Sequence, residues 1–348
     1  MLDSAERMKG LDSRDMLRMV ADMPDHLSVG LDAGSSVDVG RGSFDEVVVC
    51  GLGGSAISGD MVSAWLAETS SVPISVERSY SVPSHVGSES LVVALSYSGN
   101  TEETLSMVRE AKGRGAAMVA VSSGGKLKEV AEAEGMPYCA VPSGLVPRAT
   151  VGYMFGTLSG ILERAGLCSP RDGVDEAKSV LAAMSGDCGP DVPTVDNPAK
   201  KLAHELHGTI PVTFGHGLSR PVAKRWANQF NENAKMIAFS GELPEMNHNG
   251  IVGWIGDARS QGYSAIFLDH DAGGPRMARR VAATKEMLRG QVRVFSSHAV
   301  GNSPVARMFS LVMVGDYVSV YSSFLRGEDP STTVPIEELK KVLSEKVE

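Results

Sequence analysis

The sequence predicts an α/β fold with two related domains, each built on a parallel sheet flanked by helices. One observation is the alternation of short Val- and Leu-rich runs, such as 91–95, with helical patterns such as 102–113. A second is the recurrence of a Gly-rich turn between strand and helix, at 51–55 and at 215–219. The length of 348 residues suffices for two hydrophobic cores.

An N-terminal helical arm is predicted for residues 1–40. Methionine, leucine and valine recur at helical spacing between Met8 and Met23. Because proline cannot donate a backbone hydrogen bond within a helix, we expect Pro24 to stop this pattern.

The first sheet domain is predicted to span residues 41–168. Strands and helices alternate, so each helix returns the chain to the edge where the next parallel strand begins. The predicted strands are 47–50, 74–76, 91–95, 118–121 and 138–141, and the predicted helices are 56–67, 102–113, 127–134 and 151–165.

A linker is predicted at 169–200, because prolines and glycines surround one helical segment, 174–184. The second domain, 201–348, repeats the element order of the first with little similarity of individual residues. We expect strands at 210–214, 265–268 and 292–295, helices after Ser219 and at 275–289, and a C-terminal helix carrying Lys340 and Lys341.

The segment 96–104 of the first domain is a candidate phosphate-binding loop. It lies between a buried strand and a helix, where unpaired backbone N–H groups and the helix dipole favour an anion. Ser96, Ser98 and Thr101 add hydroxyl donors, and Gly99 permits close approach of the backbone. Taken alone, such a cluster is more often a turn that caps a helix. The similar loop at 51–55, expected in the same crevice, favours the phosphate interpretation.

Composition argues against several classes of partner. A net charge of -9, with 33 scattered Lys and Arg residues, is unlike a nucleic-acid-binding surface. Four cysteines without a C-x-x-C pair predict neither a disulfide framework nor a metal site, and they fit a reduced, cytoplasmic protein. We also expect no membrane association, because no apolar run approaches the length of ~20 residues that a membrane helix needs.

Three further residues, Glu232, His248 and Arg148, are weak candidates for functional residues when judged by position alone. Glu232 shares a predicted polar helix face with Arg225, Asn228 and Lys235, so a solvated Glu232–Lys235 pair is the simpler interpretation. His248 lies between two asparagines in a loop typical of a turn. An arginine after a proline-rich loop, as at position 148, is more often a surface charge.

Taken together, these segments resemble the bifunctional phosphoglucose/phosphomannose isomerases, a branch of the sugar-isomerase (SIS) fold, over nearly the whole chain. A lone S-Y-S-G-N-T-E-E-T loop would indicate only a SIS domain, whereas the blocks around Glu232 and His248 point to the isomerase branch. The most specific matching segments are 51–57, 96–104, 147–148, 231–235, 246–249 and 329–340.

The resemblance implies a flavodoxin-like SIS fold for both domains and a role for each matched residue. Glu232 would be the base that moves a proton between C2 and C1 through an enediolate. Arg148 would stabilise the enediolate, and His248 would open the sugar ring. The residues expected to bind substrate are Gly54, Ser55, Ser96, Ser98, Thr101 and Thr333, and Lys340 completes the predicted catalytic set.

The resemblance also implies that glucose 6-phosphate and mannose 6-phosphate are interconverted with fructose 6-phosphate, without metal or cofactor. In this family the histidine comes from the other subunit, so a homodimer with a shared site is expected. Two alternatives stay open: a non-catalytic SIS regulator that binds a sugar phosphate, which would not need Glu232 and His248 together, and a SIS isomerase for another sugar phosphate.

Overall fold

The computed structural model describes residues 1–40, 43–270 and 273–344, which form two parallel β-sheets packed among α-helices. The first sheet has the strand order β2-β1-β3-β4-β5, and all neighbouring strands run parallel. This order confirms the predicted sheet. The strands are β1 Glu46–Cys50, β2 Ile74–Glu77, β3 Ser90–Leu95, β4 Ala117–Ser122 and β5 Tyr138–Ala140.

The second sheet has the order β7-β6-β8-β9, again entirely parallel. Its strands therefore follow the connectivity of the first four strands of the other sheet, which confirms the repeat inferred from element order. Strand β7 was not predicted. The strands are β6 Ile210–Gly215, β7 Phe239–Glu242, β8 Tyr263–Asp269 and β9 Arg293–His298.

Helices cover the sheets and join the two halves. Short 3₁₀ turns also occur in the described part of the chain, at 147–150, 217–219, 245–248 and 258–262. The α-helices are α1 Ala5–Leu11, α2 Met16–Ala21, α3 Met23–Ser35, α4 Gly53–Leu66, α5 Glu102–Gly113, α6 Gly125–Ala133, α7 Val151–Arg164, α8 Arg171–Cys188, α9 Pro198–Leu206, α10 Arg220–Ala234, α11 Gly250–Gly256, α12 Gly274–Leu288, α13 Pro304–Leu325 and α14 Val334–Ser344.

The N-terminal helices differ from the expectation at Pro24. This proline lies in the first turn of α3 and begins a helix instead of ending one, because its missing N–H has no intrahelical partner there. Helix α3 packs closely on α7 through glycines. A Cβ added to Gly34 would lie 2.1 Å from the Thr157 carbonyl oxygen, and one added to Gly156 would lie 2.3 Å from that of Leu27. These helices therefore contribute to the main core.

Helix α13 was absent from the prediction and is the longest helix of the described chain. It is long and apolar enough to cross a membrane, so the expectation of no such run is wrong. However, 89% of its apolar window is buried inside the protein. It packs against α8, α9 and α10, and one hydrophobic cluster extends from α3 and α7 through α10 to α13. This burial identifies α13 as a core helix.

Helix α8 fills most of the predicted linker and buries Val174, Ala177 and Leu181 in the same cluster. The proposed boundaries at 41–168, 169–200 and 201–348 stay predictions.

Candidate active site

The two predicted phosphate loops meet at the carboxyl edge of the first sheet. Cys50 of β1 lies opposite Ala94 of β3, so the strands end side by side. Gly51 then approaches the next loop so closely that an added Cβ would lie 2.7 Å from the Leu95 carbonyl oxygen. Ser55, in the first turn of α4, is buried at this edge. The structure thus places the loops 51–55 and 96–101 in one crevice, as predicted.

Within the second loop, two predicted donors face each other. The hydroxyl oxygens of Ser96 and Thr101 lie 2.9 Å apart, and Thr101 is the N-cap residue of α5. Ser96 is buried, whereas Ser98 is exposed. Because the first N–H groups of α5 have no intrahelical partners, this end of the helix can receive an anion beside the hydroxyls.

Gly99 holds this loop against its neighbour. Its φ of +68° lies in the left-handed region, and an added Cβ would lie 1.8 Å from the Gly124 carbonyl oxygen. The Gly99 carbonyl also accepts a hydrogen bond of 2.8 Å from the Leu127 backbone N–H. Both the backbone conformation and the close approach therefore require glycine.

Arg148 is buried beside this crevice, so the simpler interpretation as a surface charge is wrong. A Cβ added to Gly54 would lie 3.6 Å from the Cα of Arg148, so the loop 51–55 packs directly against the segment that carries the arginine. The guanidinium donates from Nε to the Asn233 side-chain oxygen and from Nη2 to the Pro330 carbonyl. Burial lowers the Arg148 pKa, and the charge of Glu232 opposes that shift.

Glu232 projects from α10 towards Arg148. Its Oε2 lies 3.5 Å from Arg148 Nη1, and its side chain is 31% exposed. The alternative Glu232–Lys235 pair does not form, because the Lys235 ammonium donates to the carbonyls of Asn233 and Asp329. A partly accessible carboxylate beside a buried cation is suited to proton transfer with stabilisation of the resulting negative charge.

A buried ion pair supports this group and was missed by the sequence analysis. Arg225 was expected on a solvent-facing side of α10, but it is buried and donates to both carboxylate oxygens of Asp316 on α13, at 3.1 and 2.6 Å. Its Nη2 also donates to the Arg148 carbonyl at 2.9 Å. Gln229 donates to Asp316 at 2.9 Å. A single aspartate within a long apolar helix was the available signal, because such a buried charge needs a partner.

Among the described residues, His248 and Lys340 form no hydrogen bond or ion pair with Glu232 or Arg148 within one protomer. His248 ends the 3₁₀ turn 245–248 and is exposed, and Lys340 is exposed on α14. Thr333 is half-buried and follows Pro330, the acceptor for Arg148, by three residues. Three residues span at most ~11 Å, so Thr333 lies near the guanidinium.

The matching loop of the second domain is built differently. The Ser219 hydroxyl donates to the Leu268 carbonyl at 3.0 Å and accepts from the His216 N–H, so it serves as a structural cap. The rings of His216 and His270 stack beside it with centroids 4.2 Å apart. The second domain therefore preserves the fold of the loop, but its Ser219 hydroxyl is already hydrogen-bonded within the protein.

The structure brings together eight of the ten predicted site residues or their loops, and the roles of all ten stay predictions. Among residues 1–40, 43–270 and 273–344, no group of three or more histidine, cysteine or carboxylate side chains is placed to hold a metal ion. Ser55, Ser96 and Thr101 supply neutral donors, and Arg148 and Glu232 supply opposite charges. This arrangement suits a phosphorylated substrate that exchanges a proton.

Family comparisons agree with this description of the fold. A model described as SIS domain matches residues 44–131, and one described as bacterial phospho-glucose isomerase C-terminal SIS domain matches residues 195–343. A hypothetical protein from Thermus thermophilus has the same fold, with a TM-score of 0.77 over 97% of this chain and 93% of that chain, at 16% identity. Fold and site thus define a protein with two SIS domains.

Sequence relatives identify the branch. The bifunctional phosphoglucose/phosphomannose isomerase of Caldicellulosiruptor bescii is 39% identical over 336 residues, covering 95% of this chain and 99% of the relative. The chain belongs to the family of bifunctional phosphoglucose/phosphomannose isomerases, which confirms the resemblance. A D-glucosamine-6-phosphate 4-epimerase from Sulfolobus acidocaldarius is 34% identical over 215 residues, covering 60% of this chain and 63% of that protein.

Proposed function

We propose that this chain is an aldose–ketose isomerase that interconverts glucose 6-phosphate and mannose 6-phosphate with fructose 6-phosphate. The observation that carries the proposal is the Glu232–Arg148 pair beside the phosphate loops, with Oε2 and Nη1 separated by 3.5 Å. This distance is at the outer limit of a hydrogen bond. The pair is therefore loose enough for substrate oxygens to approach Arg148 without breaking a strong contact.

The phosphate group binds at the N-termini of α4 and α5 in this proposal. Ser55, Ser96, Ser98 and Thr101 donate hydroxyl hydrogen bonds, and Gly54 allows the backbone to approach the substrate. Helix N-termini and hydroxyls can hold a phosphate without a cluster of lysines. This mode of binding is compatible with the net charge of -9.

Proton transfer then takes place at the other end of the open-chain sugar. The Glu232 carboxylate removes the proton from C2 of the aldose, the hydroxyl proton of O2 passes to O1 in the enediolate, and Glu232 returns its proton to C1. The reverse reaction follows the same path. Arg148 stabilises the negative charge that develops on O1 and O2. The proposed scheme uses protein side chains alone and requires no metal ion or cofactor.

Ring opening is assigned to His248, with Thr333 and Lys340 lining that end of the pocket. Because His248 is exposed and forms no described hydrogen bond or ion pair with Glu232 within one protomer, we propose that it acts in the pocket of a second subunit. The active unit is then a homodimer with two shared sites. We further propose that the enzyme works in the cytoplasm on free sugar phosphates, without a nucleic-acid or membrane partner.

The test is to incubate chelator-treated protein in D₂O with glucose 6-phosphate, mannose 6-phosphate, fructose 6-phosphate and glucosamine 6-phosphate, and to follow products by NMR. We expect the three hexose phosphates to interconvert, with deuterium incorporated at C2 of the aldoses. Binding without turnover would favour the non-catalytic regulator. Turnover of glucosamine 6-phosphate alone would favour an enzyme for another sugar phosphate.

A further inference from the structure

Asn233 follows the proposed base Glu232 on α10 and contacts the same guanidinium from a different side. Consecutive helical residues point about 100° apart. The Glu232 side chain is partly exposed and its Oε2 lies 3.5 Å from Arg148 Nη1, whereas Asn233 is fully buried and accepts a hydrogen bond from Arg148 Nε. The base and a buried neutral acceptor therefore contact two different nitrogens of one arginine.

The side-chain amide of Asn233 is oriented by Ser319 of the core helix α13. The Ser319 hydroxyl donates to the Asp316 carbonyl at 2.8 Å, because a carbonyl oxygen can only accept. A hydroxyl has a single hydrogen to donate, so Ser319 Oγ must accept from the Asn233 amide nitrogen, at 2.8 Å. The amide NH₂ group thus faces α13, and the amide oxygen faces Arg148.

Two anchored nitrogens fix the direction of the third in the Arg148 guanidinium. Nε donates to Asn233, and Nη2 donates to the Pro330 carbonyl. Because the guanidinium is planar and rigid, these two bonds leave Nη1 directed towards Glu232. Among the described residues, the 3.5 Å contact with Glu232 is the one contact of Nη1, so its N–H groups are available to a substrate oxygen.

The main chain of Arg148 is held by a separate contact. Arg225 donates to the Arg148 carbonyl at 2.9 Å and is itself paired with the buried Asp316. Loss of the Asn233 contact should therefore turn the guanidinium while the backbone of Arg148 stays in place.

We propose that Asn233, oriented by Ser319, is a positioning residue for the isomerase reaction. Its side-chain oxygen holds Arg148 Nε so that Nη1 points at O1 and O2 of the substrate, where negative charge develops. The catalytic part of this inference rests on the proposed function, whereas the hydrogen-bond chain from α13 to Arg148 does not. Because Ser319 and Asn233 act through Arg148, their loss should affect kcat more than KM.

Hydrogen exchange at the Arg148 side chain tests the orientation without substrate. In protein that contains ¹⁵N-labelled arginine, the Arg148 Nε–H signal is identified by its absence from the spectrum of Arg148→Lys. We expect this hydrogen to exchange at least roughly tenfold faster in Ser319→Ala and in Asn233→Leu than in the wild type, because its acceptor is misdirected or lost. Unchanged exchange in both variants would overturn the proposal.

Ser323→Ala is the matched control on the same helix. Ser323 is buried like Ser319, and its hydroxyl donates to the Val320 carbonyl at 2.7 Å, as that of Ser319 donates to the Asp316 carbonyl. In the part of the chain that the structure describes, the Ser323 hydroxyl has no partner outside α13. Both alanine variants lose the same kind of intrahelical bond, so only Ser319→Ala should release Arg148. Equal acceleration of exchange in Ser323→Ala would contradict the proposed chain.

Steady-state kinetics test the link to catalysis. We expect kcat to fall roughly three- to tenfold in Ser319→Ala and up to roughly 10²-fold in Asn233→Leu, with KM changed by less than about twofold, because the phosphate-binding groups are untouched. Ser323→Ala should keep the wild-type kcat. If Asn233→Leu does not fold, Ser319→Ala and its control are sufficient for the test.

The two measurements separate this inference from the proposed function. Faster exchange in Ser319→Ala, together with a wild-type protein that has no isomerase activity, would refute the proposed function and leave the hydrogen-bond chain intact. An active wild type whose kcat is the same as that of Ser319→Ala would refute the positioning role alone. An equal fall of kcat in Ser319→Ala and Ser323→Ala would also refute it, because the loss would then come from a general effect on α13.

Discussion

The carboxylate of Glu232 and the guanidinium of Arg148 face each other across the junction of the two halves of the chain, with Oε2 3.5 Å from Nη1. Arg148 also donates to the side chain of Asn233, the next residue on α10, and to the carbonyl of Pro330. One buried arginine therefore connects the first domain to α10 and to the segment that leads to α14. Its position makes the proposed chemistry dependent on both halves.

Replacing Glu232 with glutamine should abolish both isomerase activities while substrate binding is largely retained. Glutamine keeps the shape of the side chain but cannot accept the substrate proton, so kcat should fall by about 10²–10⁴-fold or more. Steady-state kinetics and deuterium exchange at C2 measure the two effects. Glu205→Gln, at an exposed position of α9, is the matched control. Loss of one activity alone would contradict a shared base.

The double substitution Ser96→Ala and Thr101→Ala should weaken substrate binding. Each hydrogen bond to a charged group contributes about 1.5–3 kcal/mol, so KM should rise by at least roughly tenfold with a smaller effect on kcat. Ser63→Ala provides a control, because that hydroxyl donates to the Ile74 carbonyl at 2.8 Å. An unchanged KM would rule out the assignment of these hydroxyls to the phosphate.

Mixing Glu232→Gln with His248→Ala should restore activity that neither variant has alone. If the partner's His248 completes each pocket, a mixed dimer has one intact and one doubly defective site. With random exchange of equal amounts, half the dimers are mixed and half of their sites are intact, which gives roughly a quarter of wild-type activity. An inactive mixture, despite demonstrated exchange, would place both residues in one subunit.

Alanine at position 99 should destabilise the protein more than alanine at position 115. Gly99 and Gly115 both have positive φ, at +68° and +78°. Of these two, only at Gly99 would an added Cβ clash with a neighbouring atom, the Gly124 carbonyl oxygen. Backbone strain alone costs about 1–2 kcal/mol, and the clash should add about 1–3 kcal/mol for Gly99→Ala. Denaturant unfolding of both variants measures the difference. Equal losses would mean that the loops 96–101 and 122–125 are not in close contact.

The stability of the protein should fall between pH 6.5 and pH 4 partly because of His216. Burial, and then the adjacent His270, lower the pKa of His216 from 6.5 to about 4. In this interval the unfolded chain binds a proton that the folded chain excludes, so acidification favours unfolding by up to about 3 kcal/mol. His216→Asn keeps a side-chain acceptor without the titration and should flatten the dependence. If the free energy of unfolding had the same pH dependence in the wild type and in His216→Asn, the effect would be disproved.

Local sequence patterns were sufficient for most of the first domain. Strand β3 was predicted because it is a continuous apolar run, and α5 because hydroxyl and acidic residues mark its beginning. Helix α13 was missed because it is apolar on nearly all sides and has no stripe to signal a helix. Strand β7 was missed because it is a short, largely exposed edge strand.

The sequence by itself determined the α/β class, the repeated order of elements along the chain and the family, because these follow from periodicity and from short motifs such as 96–104. Tertiary structure alone decided which charges are buried and paired. Arg225 and Asp316 are 91 residues apart, and Arg148 and Glu232 are 84 apart, so no local pattern relates them. Burial removes water from these groups and makes partners necessary, and only the packing of α10 against α13 and the 147–150 turn supplies those partners.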